Sequence, residues 1–113
     1  MPKNWVSPSA LAFVVGQPGD ATLLAAIAAF RTTDLVQATL VLAELADAAA
    51  FEIALEILQF VPALPFWGVT RKGKSATFSD QMLRHSMRAR GYIDTKSCAV
   101  SSDWTATRYN RRR

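Results

Sequence analysis

Apolar and polar positions alternate unevenly along the chain, and the longest uninterrupted stretch of strong helix formers runs from Asp34 to Val61. It holds no Gly or Pro and stops at Pro62, which predicts helix. Asp34 with Gln37 three residues on matches a capping box. As one rod the 28 residues would extend about 42 Å, long for so small a domain. The polar positions oppose a straight rod. Gln37, Glu44 and Asp47 share one helical face, whereas Glu52, Glu56 and Gln59 share another, rotated by roughly a quarter turn. The phase slips within Asp47–Phe51, so the expectation is a kink, a break into two helices, or one helix buried on different sides at its two ends.

On the N-terminal side, residues 1 to 6 read as an arm with Trp5 as its anchor. Ser7-Pro8 has the form of a helix start, predicting a short helix to Val15. Gly16 and Pro18-Gly19 make a turn, and Asp20 caps a second helix to about Phe30, with Leu23, Leu24, Ile27 and Phe30 on its buried face. Beyond the long stretch, Pro62-Ala63-Leu64-Pro65 is a rigid link. Phe66–Thr70 and Ser75–Phe78 flank Arg71-Lys72-Gly73-Lys74 and predict a short β-hairpin near 66–78 with a basic tip. A further helix starts at Thr77 or Ser79. It carries Met82, Leu83 and Met87 on its apolar side, Arg84, Arg88 and Arg90 on its charged side, and Gly91 as its stop. Tyr92-Ile93 returns to the core, residues 94–103 are polar and irregular, and a basic tail follows. The expected fold class is mainly α: a small helical domain of about four helices with one hairpin. It forms a single domain over 1–113, with an acidic apolar helical body over 1–61 and a basic segment over 62–113.

Composition sharpens this division. Up to Val61 there are two Lys or Arg against six Asp or Glu; from Pro62 onward there are eleven against three, for a net charge of +4. A cationic half of this kind suits a polyanion or an acidic partner. The lone Cys98 cannot form an internal disulfide, which points to a reducing compartment such as the cytoplasm. No signal peptide is evident. The apolar runs Ala10–Val15 and Ala21–Phe30 are too short to span a bilayer, and the long stretch carries Glu44, Asp47, Glu52 and Glu56, so no membrane partner is expected. Leu40, Leu42, Leu45, Phe51, Ile53, Leu55, Ile57, Leu58 and Phe60 offer more apolar surface than two short helices cover. A homo-oligomer or protein partner is therefore expected.

Candidate chemistry is sparse. Gly68-Val69-Thr70-Arg71-Lys72-Gly73-Lys74-Ser75 matches the pattern G-x-x-x-x-G-K-[ST] and over those eight residues resembles the Walker A motif of P-loop NTPases. That resemblance implies backbone amides wrapped around phosphates, Lys74 on the outer phosphates and Ser75 on magnesium. The flanking context differs: two prolines precede the motif and Ser75-Ala76-Thr77 looks extended, so a basic turn is the favoured reading and nucleotide binding a minor alternative. A helix-turn-helix within 42–58 is rejected, because Glu56 and Gln59 fall where its second helix needs apolar residues, and Glu52 and Glu56 oppose DNA. His85 and Cys98 have no ligand spacing for a metal, and Asp80, His85 and Ser86 are neighbours that do not converge as a triad. No enzyme, cofactor or metal is expected. The candidate site is a nucleic-acid surface of Arg71, Lys72, Lys74, Arg84, Arg88, Arg90, Arg108, Arg111, Arg112 and Arg113. Trp67 is included for stacking, and Tyr92, Trp104 and Tyr109 are interleaved with the cations. The functional expectation is a non-enzymatic accessory or regulatory protein that binds DNA or RNA. The alternative is an assembly subunit using its apolar helices and its basic surface.

Overall fold

The computed structural model describes residues 5–73 and 76–112. In chain order its elements are β1 (Ala12–Val15), α1 (Ala21–Ile27), β2 (Arg31–Thr32), β3 (Leu40–Leu45), α2 (Ala48–Leu58), β4 (Phe66–Arg71), α3 (Asp80–Ala89), β5 (Tyr92–Ala99) and β6 (Trp104–Arg111). The strands make one sheet in the order β2-β1-β3-β4-β6-β5. β2, β1, β3 and β4 are parallel, and β6 is antiparallel to both β4 and β5. The fold is therefore α/β, and the mainly α expectation is corrected.

The decisive error lies in the long apolar stretch. Residues 34–39 of it form a turn, and Leu40–Leu45 is β3, which pairs with β1 on one side and β4 on the other. Leu40 and Leu42 enter a core with Trp5, Ala12, Val14 and Trp67, whereas Val41, Ala43 and Leu45 enter a second core on the opposite face with Phe51, Phe66 and Tyr109. A parallel strand buried on both faces is apolar at successive positions, so its period-2 signature disappears. Burying each of its large side chains is worth about 1.5–3 kcal/mol, which overrides their helix propensity. The slipped polar phase marks the change from strand to helix. Asp47 caps α2 there, its carboxylate accepting the Ala50 N–H at 2.9 Å. Asp34 caps no helix; it closes a turn by accepting the Val36 and Gln37 amides at 3.0 and 3.1 Å.

Three other expectations change. Ser7-Pro8 begins a turn, with Ala10 N–H donating to the Ser7 carbonyl at 3.0 Å, and Ala12–Val15 becomes a strand held between β2 and β3. The 66–78 hairpin is absent among the described residues: β4 pairs with β3 and β6, and its expected partner over 76–78 is not strand. Residues 94–111, expected as irregular chain and tail, form the β5–β6 hairpin. The local stop and start signals were sound. Asp20 caps α1 through Leu23 N–H, Ser79 caps α3 through Met82 N–H, and Gly91 ends the last helix at φ 87°.

The two cores require helices on both faces. A right-handed crossover from β1 leftward to β2 and one from β3 rightward to β4 must lie on opposite sides of the sheet. Accordingly α1 places Leu23 and Ile27 in one core, while α2 and α3 place Phe51, Ala54, Leu58, Leu83 and Met87 in the other. Trp5 closes the α1 side, its ring centroid 5.0 Å from Trp67 and 5.5 Å from Phe30. Most of the surplus apolar surface expected to mediate oligomerisation is thus internal, although Ile53 and Phe60 stay exposed. No described helix is long and apolar enough to cross a membrane.

Gly68 sits in the middle of β4 directly under α3. A Cβ there would stand 2.5 Å from Leu83 Cδ2, 3.3 Å from the Phe66 ring and 3.4 Å from Leu45 Cδ1. Gly68→Ala is therefore expected to overpack this layer and cost about 1–3 kcal/mol, read as a lower denaturant midpoint at unchanged slope.

Candidate functional site

The strand order reverses between β1 and β3. From β1 the chain turns toward β2, from β3 toward β4, so the two loops diverge and leave a crevice at the carboxyl ends of the strands. A cavity of about 230 Å³ occupies that position. Its apolar wall comes from Val15, Pro18, Ala43, Ala46, Ala50 and Ile53, and its polar groups are Gln17, Glu44 and Asp47 with the backbone of Gly16. Alanines at three of these places keep the crevice open, because a larger side chain would fill it.

The loop that forms one wall follows from its sequence. Gly16 leaves β1 at φ 73°, a left-handed conformation that glycine adopts without steric cost. Pro18 is buried beneath it. Glu44, near the end of β3, holds the loop in place: its two carboxylate oxygens each accept the Gly19 N–H at 3.2 Å, and Oε2 also accepts the Asp20 N–H at 3.1 Å. Asp20 then divides its oxygens. Oδ2 caps α1 through Leu23 N–H at 2.9 Å, and Oδ1 accepts the Ser101 hydroxyl at 3.4 Å, joining the β5–β6 turn to the loop. Lys72 reinforces that turn by donating from Nζ to the Ser101 carbonyl at 2.9 Å.

The charge of the crevice is one-sided. It is lined by two carboxylates and by no Lys or Arg. Glu44 is committed to the loop amides, and Asp47 uses Oδ1 for its cap. Among the described residues the lining therefore offers hydrogen-bond acceptors and negative charge, and no cationic side chain to pair with a phosphate.

The basic residues expected to form a single surface are dispersed. Arg71 lies over Trp104 at 4.8 Å and Arg108 over Trp67 at 6.0 Å, on the α1 face of the sheet. Arg84 and Arg88 lie on the opposite face in a network with Asp80 and Asp94, with contacts of 2.8, 3.1 and 2.8 Å. Arg90 and Arg111 share that face, over Phe51 and Tyr92. Arg112 extends past β6, its N–H donating to the Gly91 carbonyl at 2.7 Å. Lys74, Ser75 and Arg113 lie outside the described residues. Trp67, Tyr92, Trp104 and Tyr109 are all buried, which corrects their role as base-stacking platforms: their rings are core. The described part of the Walker-like octapeptide begins inside β4, where Gly68 serves helix packing, rather than in a loop ahead of a helix.

Two remaining groups are quiet chemically. Burial pushes the Cys98 thiol above its ordinary value, leaving it a weak nucleophile at neutral pH. Burial likewise raises the Tyr109 phenol, whose hydroxyl has no hydrogen-bond partner among the described residues. Among those residues no group of three His, Cys, Asp or Glu is placed to hold a metal.

Sequence reasoning missed Gly16, Gln17, Glu44 and Asp47 as site residues. The available signal was an apolar run leading through Gly-x-x-Gly-Asp into a helix, the form of a βα turn at a strand's carboxyl end. With a helix expected from Ser7-Pro8 to Val15, that signal has the form of an ordinary turn between helices. Comparison with protein-family models, curated proteins and solved structures finds no match to this chain.

Outside the crevice, hydrogen bonds from Arg88 hold the Asp94 carboxyl below its usual range, helped by the charge of Arg84. A depressed carboxylate contributes stability that is complete above the unfolded value of 3.8 and is lost as pH falls through the folded value. Denaturant titrations are accordingly expected to show less acid-side loss of stability, below pH 3.8, in Asp94→Asn than in the parent.

Proposed function

We propose that the chain is a small-molecule-binding α/β domain whose ligand occupies the crevice between β1 and β3. The observation that carries this reading is the coincidence of the cavity with the point where the strand order reverses, the position at which open α/β sheets receive ligands. The fold supplies the position; the chemistry of the ligand follows from the lining.

At about 230 Å³ the cavity falls below the usual ~300–1,000 Å³ of small-molecule pockets, so it suits one compact group. A sugar or a nucleoside fits that description, and a dinucleotide does not. The carboxylate of Asp47 has Oδ2 left to accept from a hydroxyl or an amine, while the alanines and Ile53 cover an apolar ring. The ligand class is a neutral or cationic, hydroxyl- or amine-bearing molecule without phosphate. The expected nucleotide binding through 68–75 has no part in this site, because Gly68 is under α3.

Asp47→Asn tests the reading cleanly. Asparagine is as good an N-cap as aspartate, so stability should change by only a few tenths of a kcal/mol. The charged acceptor in the crevice is lost, which should weaken a ligand held by it about tenfold or more. Thermal-shift and calorimetric titrations with adenosine and ribose are expected to show binding that Asp47→Asn diminishes, with weaker binding of the corresponding phosphates. Preference for the phosphorylated ligands, or affinity unchanged in Asp47→Asn, would contradict the proposal.

A further inference from the structure

We infer that the end of the sheet opposite the crevice is a docking groove for a nucleic-acid strand, formed by Arg90, Arg111 and Arg112 rather than by the basic half as a whole. Because β6 runs antiparallel to β4, its last residues lie beside the start of β4, at the far end from Glu44 and Asp47. There Arg111 and Arg112, with Pro62, Ala63 and Asn110, line an open cavity of about 650 Å³. Arg111 also lines a neighbouring hollow of about 180 Å³ together with Arg90 and Gln59. Arg111 thus borders both concavities, which lie side by side at this end of the sheet.

The absence of an ion pair separates these guanidinium groups from Arg84 and Arg88, and their place along one concave end separates them from Arg71 and Arg108, which also sit over rings. None of the three forms an ion pair among the described residues, whereas Arg84 and Arg88 are neutralised by Asp80 and Asp94. Arg90 and Arg111 rest over Phe51 and Tyr92, at 5.6 and 5.7 Å. Seating on a ring fixes the planar group through its face and leaves N–H edges free for the paired oxygens of a phosphate. Arg90 gives one of its donors to the Ser86 carbonyl at 2.9 Å, which orients it further. The groove is far larger than a single phosphate, so a polymer of phosphates is the matching ligand. A concave rim suits a strand better than a flat lipid surface. Phe60, two residues before Pro62 and 71% exposed, supplies at this end the open aromatic face that the buried Trp67, Tyr92, Trp104 and Tyr109 cannot offer.

Fluorescence anisotropy with a labelled single-stranded oligonucleotide tests the assignment. Three phosphate contacts predict that affinity falls about 20-fold between 50 and 200 mM salt. Arg111→Gln combined with Arg112→Gln should remove most of the binding and about two-thirds of the salt slope. Arg71→Gln combined with Lys72→Gln, which removes the same charge at the other end, should leave affinity within about twofold. Far-UV circular dichroism and the thermal midpoint establish that both double variants are folded. A variant pair that fails to fold is replaced by Arg112→Gln alone, for which about a one-third loss of slope is expected. No binding at 50 mM salt, equal losses in the two double variants, or equal binding of polyglutamate or anionic vesicles would overturn the inference.

Discussion

β3 is buried on both faces, and the rest of the architecture depends on that. A strand with apolar side chains pointing both ways must be covered on both sides, so the chain needs helices above and below it. With right-handed crossovers, that coverage follows only if one connection leaves the centre of the sheet toward β2 and the other toward β4. The reversal that satisfies the core therefore also opens the crevice. Packing and crevice have a common origin: β3, which buries Leu42 and Leu45, also carries Glu44 to the edge of the cavity.

Electrostatics then differentiates the two ends of the sheet. At the carboxyl ends of the parallel strands, Glu44 gathers the Gly19 and Asp20 amides, Asp20 caps α1, and Asp47 caps α2. These carboxylates are structural in their first duty, and in the proposed function Glu44 and Asp47 also give the crevice its acceptors. At the opposite end the aromatic rings Phe51 and Tyr92 hold arginines that no carboxylate neutralises among the described residues. The division along the chain is not kept in three dimensions: Arg111 and Arg112 lie at the end opposite the crevice, whereas Arg71 and Lys72 lie at the crevice end. The Asp80–Arg84–Asp94–Arg88 network lies between them and ties α3 to β5.

Legibility in the sequence followed the range of the interaction. Signals that act within one turn were readable: Asp20 and Ser79 as caps, Gly91 as a stop, and the break at Asp47. Strands defined by distant partners were not. Val14 and Leu42 become strand because β1 and β3 pair across more than twenty-five residues, and nothing in their neighbourhood records it. The apparent cap Ser7-Pro8 was a competing local signal, and it won in the reading because the tertiary pairing that overrules it was invisible. β5 carries an exposed, largely polar sequence with an irregular register between Asp94 and Lys96, which reads as loop. The candidate site suffered in consequence: a Gly-rich turn between helices draws no attention, whereas the same turn after a parallel strand lies at the crevice where the strand order reverses. The basic residues were all visible, but their grouping required the sheet, which buries four aromatics and separates Arg71 from Arg111.

The most direct test of the account is a backbone amide chemical-shift map of the protein titrated with adenosine. If the strand reversal creates the ligand site, perturbations concentrate at Gly16, Gln17, Ala46 and Asp47, leaving Arg111 and Arg112 unmoved. Perturbations confined to the Arg111–Arg112 end, or none at saturating ligand, would contradict it.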